Sequence, residues 1–210
     1  MQVAHPYTGN GRLPLPVGES AFDIARAQRA VTELLAALGV PADSEVARNT
    51  PRRAAAALIE LLTSEPFELT TFPNAENHDG LVVVRDVVFR SLCAHHLLPF
   101  VGTAHIGYVP AEHRVAGLSK LARTVAVQAA RLQVQEELTQ QIATQLEAHL
   151  QARGVAVLVV AEHLCMSLRG ARSPKASTVT LAVRGVLRDD PALRAEFRDL
   201  LSTQSGGWSP

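Results

Sequence analysis

Both cysteines of the chain sit beside imidazole, in Cys93-Ala94-His95-His96 and in His163-Leu164-Cys165. A free thiol is ordinarily inert apolar filler. Here each lies at metal-ligand spacing from a histidine. Cys93 and His96 are close enough for one tight turn to aim both at a point. His163 and Cys165 share a face if their segment is a strand. A fold that uses both segments must bring two distant stretches together. A plain Cys93–Cys165 disulfide would do so too, but it leaves the histidines unexplained.

With 210 residues, 47% of them hydrophobic, the chain has room for one domain and an added helical region. Its formal net charge is zero, so no global field draws it to nucleic acid or to a membrane surface. Lysine occurs only at Lys120 and Lys175, so anion binding must come from local clusters. No apolar run approaches the roughly 18 residues that span a bilayer. The first residues lack the basic start and apolar stretch of a secretion signal. Reduced thiols at ligand spacing then point to the cytoplasm.

Residues 1–20, rich in glycine and proline, read as a flexible N-terminal tail. Apolar residues at Ile24, Ala27, Val31, Leu34, Leu35 and Leu38 have helical spacing, which Gly39 and Pro41 stop. Thr50-Pro51 predicts the cap and first turn of a second helix. These helices make 21–80 an N-terminal helical region, closed by a loop with Pro66, Pro73 and Gly80. The β-branched run 81–89 predicts a strand, and 101–109 its partner. Helices follow over 118–130 and 134–150, the second with a stripe at Val134, Leu138, Ile142, Leu146 and Leu150. Strands over 155–161 and 177–187 and a helix over 191–201 complete a second domain, 81–201, before a flexible tail, 202–210. The fold class is α+β, in the order strand-strand-helix-helix-strand-strand, with an antiparallel sheet covered by helices on one face. Such a sheet has two open edges. Joining edges between subunits into a barrel removes them and predicts a closed oligomer.

Three constellations carry chemistry. Cys93, His96 and Cys165 make a ligand set whose soft sulfurs suit Zn²⁺ over magnesium or calcium. Three ligands leave an open position, where zinc lowers the pKa of a bound water. His95 and His163 then remain for general acid–base work. A closed structural site built from four of these five residues is the alternative. The second constellation is Gly117-Leu118-Ser119-Lys120 at a helix start, with Arg123 one turn on and Arg169 beyond the second thiol. Serine, cations and helix N–H groups suit a phosphate, although a solvated helix end reads the same way. The third is Gln133-Val134-Gln135-Glu136. A carboxylate can accept from N1–H and the 2-amino group of guanine, and it equally suits a helix N-terminus.

Together these motifs resemble GTP cyclohydrolase I over roughly 23–200. The likeness is strongest in Ser91-Leu92-Cys93-Ala94-His95-His96-Leu97-Leu98-Pro99-Phe100 and continues through the two motifs just named, His163-Leu164-Cys165 and Ser177-Thr178-Val179-Thr180. It implies the tunnelling fold, assembled as a toroidal homodecamer with active sites at subunit contacts. It implies zinc on Cys93, His96 and Cys165, with His95 and His163 catalytic. Ser119, Lys120, Arg123 and Arg169 would hold the triphosphate and Glu136 the guanine, with Gln135 beside it in the substrate pocket. The implied reaction takes GTP and water to 7,8-dihydroneopterin triphosphate and formate, the first step of folate and pterin biosynthesis, without a redox cofactor. The sequence departs from the family at three places. Ala94 stands where glutamate is common, Glu137 where arginine is common, and Ala56 where a base often reaches a neighbouring subunit's triphosphate. The resemblance then leaves Arg53 as the expected cross-subunit contact. A catalytically dead GTP-binding scaffold of the same fold is the alternative these departures raise.

Overall fold

The computed structural model describes residues 22–111 and 114–202. The tails expected over 1–20 and 202–210 lie outside the described residues, apart from Ser202. The chain divides into two compact units between Pro66 and Phe67.

The first unit carries α1 (Ile24–Ala37) and α2 (Glu45–Leu61). Asp23 caps α1, its carboxylate accepting from Arg26 N–H at 2.8 Å. Gly39, at φ 80°, follows its end. The sequence placed the start of the second helix too late. Ser44 supplies the cap instead of Thr50, accepting from Ala47 N–H at 3.1 Å, and Pro51 falls inside the helix. The capped helix continues through Pro51, which removes one backbone donor and crowds the carbonyl four residues before it.

The second unit carries β1 (Thr71–Pro73), β2 (Val82–Cys93), β3 (Pro99–Val109), β4 (Arg114–Ala116), α3 (Leu118–Ala129) and β5 (Leu132–Gln133). Then follow α4 (Gln135–Leu150), β6 (Gly154–His163), α5 (Leu164–Ser167), β7 (Thr178–Gly185), α6 (Val186–Asp189) and α7 (Pro191–Ser202). This is a mixed α+β arrangement. The main sheet has the order β5-β2-β3-β6-β7, antiparallel except for the short β5–β2 pairing, and β1 and β4 form a separate pair. The period-2 alternation of β3 turns Phe100, Ala104, Ile106 and Tyr108 to one face, where they join Val155, Val157 and Val159 of β6. Leu121 and Val125 of α3 and Leu138, Ile142, Leu146 and Leu150 of α4 cover that face. Burying each such side chain contributes about 1.5–3 kcal/mol. Between Val84 and Val87 a bulge inserts one residue, with Asp86 at φ 58°, so both valines reach the same core.

Helices on one face alone is not what forms. Phe197 of α7 packs with Val109, Ala156 and Leu187 in a second cluster, on the opposite face. The apolar residues on both sides of β6 allow this. Away from that end the second face stays open, with Val88 80% exposed and Val179 57% exposed. Gly102 of β3 lies opposite Ala161 of β6. A Cβ at that position would stand 2.0 Å from the Val160 carbonyl oxygen, so the two strands close only around glycine.

Candidate metal and catalytic site

Cys93 is the last residue of β2 and is buried. The chain then turns sharply. Cys93 N–H donates to the Leu98 carbonyl at 2.9 Å, Leu97 N–H donates back to the Cys93 carbonyl at 2.9 Å, and Leu97 takes φ 53°. Ala94 N–H donates to the Gln133 carbonyl at 2.9 Å, which ties the turn to the residues just before α4. The turn is as tight as the spacing predicts. Nδ1 of His95 and Nδ1 of His96 each lie 3.9 Å from Cys93 Sγ.

The second segment arrives through sheet pairing. β3 and β6 set Phe100 opposite His163, the last residue of β6. Cys165 is not on that strand, as the two-residue spacing suggested. It belongs to the single helical turn α5, which rotates the thiol toward Cys93. Ligand atoms of Cys93, His163 and Cys165 all lie within 4.8 Å of one another and could hold a metal ion. Both cysteines are free, so no disulfide joins them. His96 touches Cys93 from the exposed turn and stands outside that compact trio.

The donor set fits a soft divalent metal. Burial and then the neighbouring Cys93 push the Cys165 thiol up, while Arg169 pulls it down. Two thiols crowded together resist ionising as a pair, and a cation between them reverses that penalty. Burial pushes the His163 imidazole down, and the Glu136 carboxylate pulls it up. The His163 ring stacks on Phe100, centroids 4.6 Å apart and planes 3° apart. Its Nε2 lies 2.7 Å from Gln135 Oε1.

Cys93, His95, His96, His163 and Cys165 are therefore brought together, with Gln135 in direct contact and Glu136 and Arg169 within electrostatic reach. Gln135 itself is buried, 1% exposed. Its amide nitrogen lies within hydrogen-bond distance of the Val159 and Thr178 carbonyls and of Thr180 Oγ1. Ser119, Lys120 and Arg123 sit on the first two turns of α3, whose N-cap is Gly117. Lys120 Nζ stands 5.9 Å from the centre of the Phe67 ring. Arg53 is exposed on α2 of the first unit. Sequence reasoning gave no role to Phe100, Thr139 or Thr180. The alternation Thr178-Val179-Thr180 was the available signal, since a strand so patterned turns both threonines to one side.

An α+β unit that gathers two thiols and several imidazoles at the ends of its strands defines a domain able to hold a metal ion. A sequence model of the GTP cyclohydrolase I family matches residues 27–202. The chain is 52% identical over 185 residues to "GTP cyclohydrolase 1" of Streptomyces griseus, covering 86% of this chain and 92% of that one. It is 50% identical over 184 residues to the protein of the same name from Mycolicibacterium vanbaalenii, covering 86% and 91%. It is 44% identical over 177 residues to that from Streptococcus agalactiae, covering 83% and 95%. The chain belongs to the GTP cyclohydrolase I family.

Proposed function

We propose that this chain is a zinc-dependent GTP cyclohydrolase I. It opens the imidazole ring of the guanine of GTP by hydrolysis, releases formate and forms 7,8-dihydroneopterin triphosphate. The observation that carries this reading is the convergence of both thiols on His163, with Glu136 near enough to act on that histidine electrostatically, in a chain of this family.

Cys93, His96 and Cys165 hold the zinc. His96 is exposed on its turn and lacks the packing that fixes His163, so it is the nitrogen best able to adjust to an ion. Bound there, zinc supplies Lewis-acid activation of water near neutral pH. His163 delivers a proton to N7 of the purine, and His95 serves as a second acid–base group. Glu136 accepts from N1–H and the 2-amino group of guanine, which rejects adenine. Ser119, Lys120, Arg123 and Arg169 hold the triphosphate, which is not cleaved. Its binding energy positions the purine against the reacting groups. Arg53 reaches the triphosphate of a neighbouring subunit. This reading takes the tunnelling fold for the sheet, a decamer that joins open edges into a barrel, and the cytoplasm for its location. Among the described residues no helix is long and apolar enough to cross a membrane. Residues 21–80 would serve assembly and 81–201 catalysis. The scaffold alternative draws no support from a site that keeps both thiols and His163.

Purified protein loaded with zinc and given GTP should release formate and a pterin that fluoresces after oxidation. If neither forms with one zinc bound per chain, the reading fails. Lys120→Ala should weaken productive GTP binding by about 1.5–3 kcal/mol, the worth of a well-formed charged hydrogen bond. That is roughly a ten- to hundredfold rise in KM. An unchanged KM would remove Lys120 from the phosphate site.

A further inference from the structure

The hydrogen bonds around Gln135 have only one consistent direction. Its Nε2 faces the backbone carbonyls of Val159 at 3.2 Å and Thr178 at 3.0 Å, and these can only accept. The amide therefore points its NH₂ group at the sheet and its oxygen at His163. Thr139 Oγ1 donates its single proton to the Gln135 main-chain carbonyl at 2.8 Å. The 2.6 Å contact between Thr139 and Thr180 must then run from the Thr180 hydroxyl to Thr139. Thr180 Oγ1, having donated there, accepts from Gln135 Nε2 at 3.1 Å. The remaining Gln135 Oε1 can only accept, so at 2.7 Å the proton lies on His163 Nε2. Gln135 and Thr139 are both buried, each 1% exposed. The stack on Phe100 fixes the plane of the ring.

We propose that Gln135 is a positioning residue: backed by Thr180 and Thr139, it holds one proton of His163 on Nε2 and makes Nδ1 the nitrogen that takes up a second proton from solvent and passes it to the guanine ring. This rests on the reading of His163 as the proton carrier. It gives Gln135 work behind the histidine instead of against the substrate, and it gives Thr180 a reason to be on β7. A partner that fixes the tautomer of an active-site histidine acts through ring orientation as well as proton location.

The test uses the full-length, zinc-loaded protein carrying ring-¹⁵N histidine, read by solid-state NMR, with His163→Ala assigning the His163 signals. In the unsubstituted protein Nε2 should be protonated and Nδ1 should carry the lone pair. Gln135→Met keeps the length of the side chain and removes the acceptor. It should give mixed tautomers and a kcat roughly ten- to a hundredfold lower, the usual cost of losing such a partner. KM for GTP and zinc content should hold, because the lost interaction acts in the chemical step and not in binding. Thr180→Val should move the same readouts in the same direction by less, and it decides the matter should Gln135→Met not fold. An Nδ1–H tautomer in the unsubstituted protein overturns the proposal. So does a Gln135→Met loss confined to KM, which would return Gln135 to the substrate pocket. Absence of turnover in the unsubstituted protein would sink the functional reading, while the spectrum would still decide the tautomer.

Discussion

Cys165→Ala should leave a folded protein that neither keeps zinc nor releases formate. Cys165 lies on α5, a single turn, and is half-buried, so its side chain contributes modestly to the core. Its chemical part is larger. On the proposed reading it is one of three protein ligands, and even a residue behind such a ligand costs about 10- to 100-fold in affinity or activity when removed. A lost thiolate must cost more than that. Metal analysis after dialysis, with far-UV circular dichroism as the folding control, reads the result. A variant that retains one zinc per chain and normal turnover would remove Cys165 from the site.

His163→Ala is the second large effect, and it separates two roles that the geometry leaves adjacent. With His96 on the zinc and His163 carrying the proton, turnover should fall by about 10²–10⁴-fold while zinc stays bound at one per chain. Loss of zinc in this variant would instead make His163 the nitrogen ligand, the arrangement that the compact trio itself presents. Some stability should go as well. The stack on Phe100 is lost, worth about 0.5–1.5 kcal/mol. Gln135 Oε1 is left unpaired in a buried position, at about 1–3 kcal/mol. Thermal unfolding of apo protein measures that part separately.

The order of the long strands and helices could be read directly, because their patterns are long. The β-branched run before Cys93 and the four-residue stripe from Leu138 to Leu150 each repeat often enough to fix an element and the side it buries. The head of α3 was legible for a different reason: Gly117 marks a cap, so Ser119 and Lys120 fall on its first turn. The two-residue β5 was hidden because no period shows in so few residues. Its pairing of Cys93 with Gln133 brings the turn after Cys93 and the start of α4 together. Cys165 was misplaced by one assumption, that a strand continues to the last residue of interest. The surroundings of Gln135 were the least legible part. Its burial depends on how α4 lies against β6 and β7, and the stack of Phe100 on His163 depends on register between two strands. Neither is a property of any one segment.

The close approach at Gly102 has a consequence for how this sequence can vary. The position lies two residues from Phe100 and faces Ala161, itself two residues before His163. Any larger residue there would prise apart the backbone that holds the His163 ring. In a library of random variants selected for turnover, position 102 should be depleted as severely as a reacting residue. Its intolerance would record a shortage of room in the backbone, with no part in the chemistry.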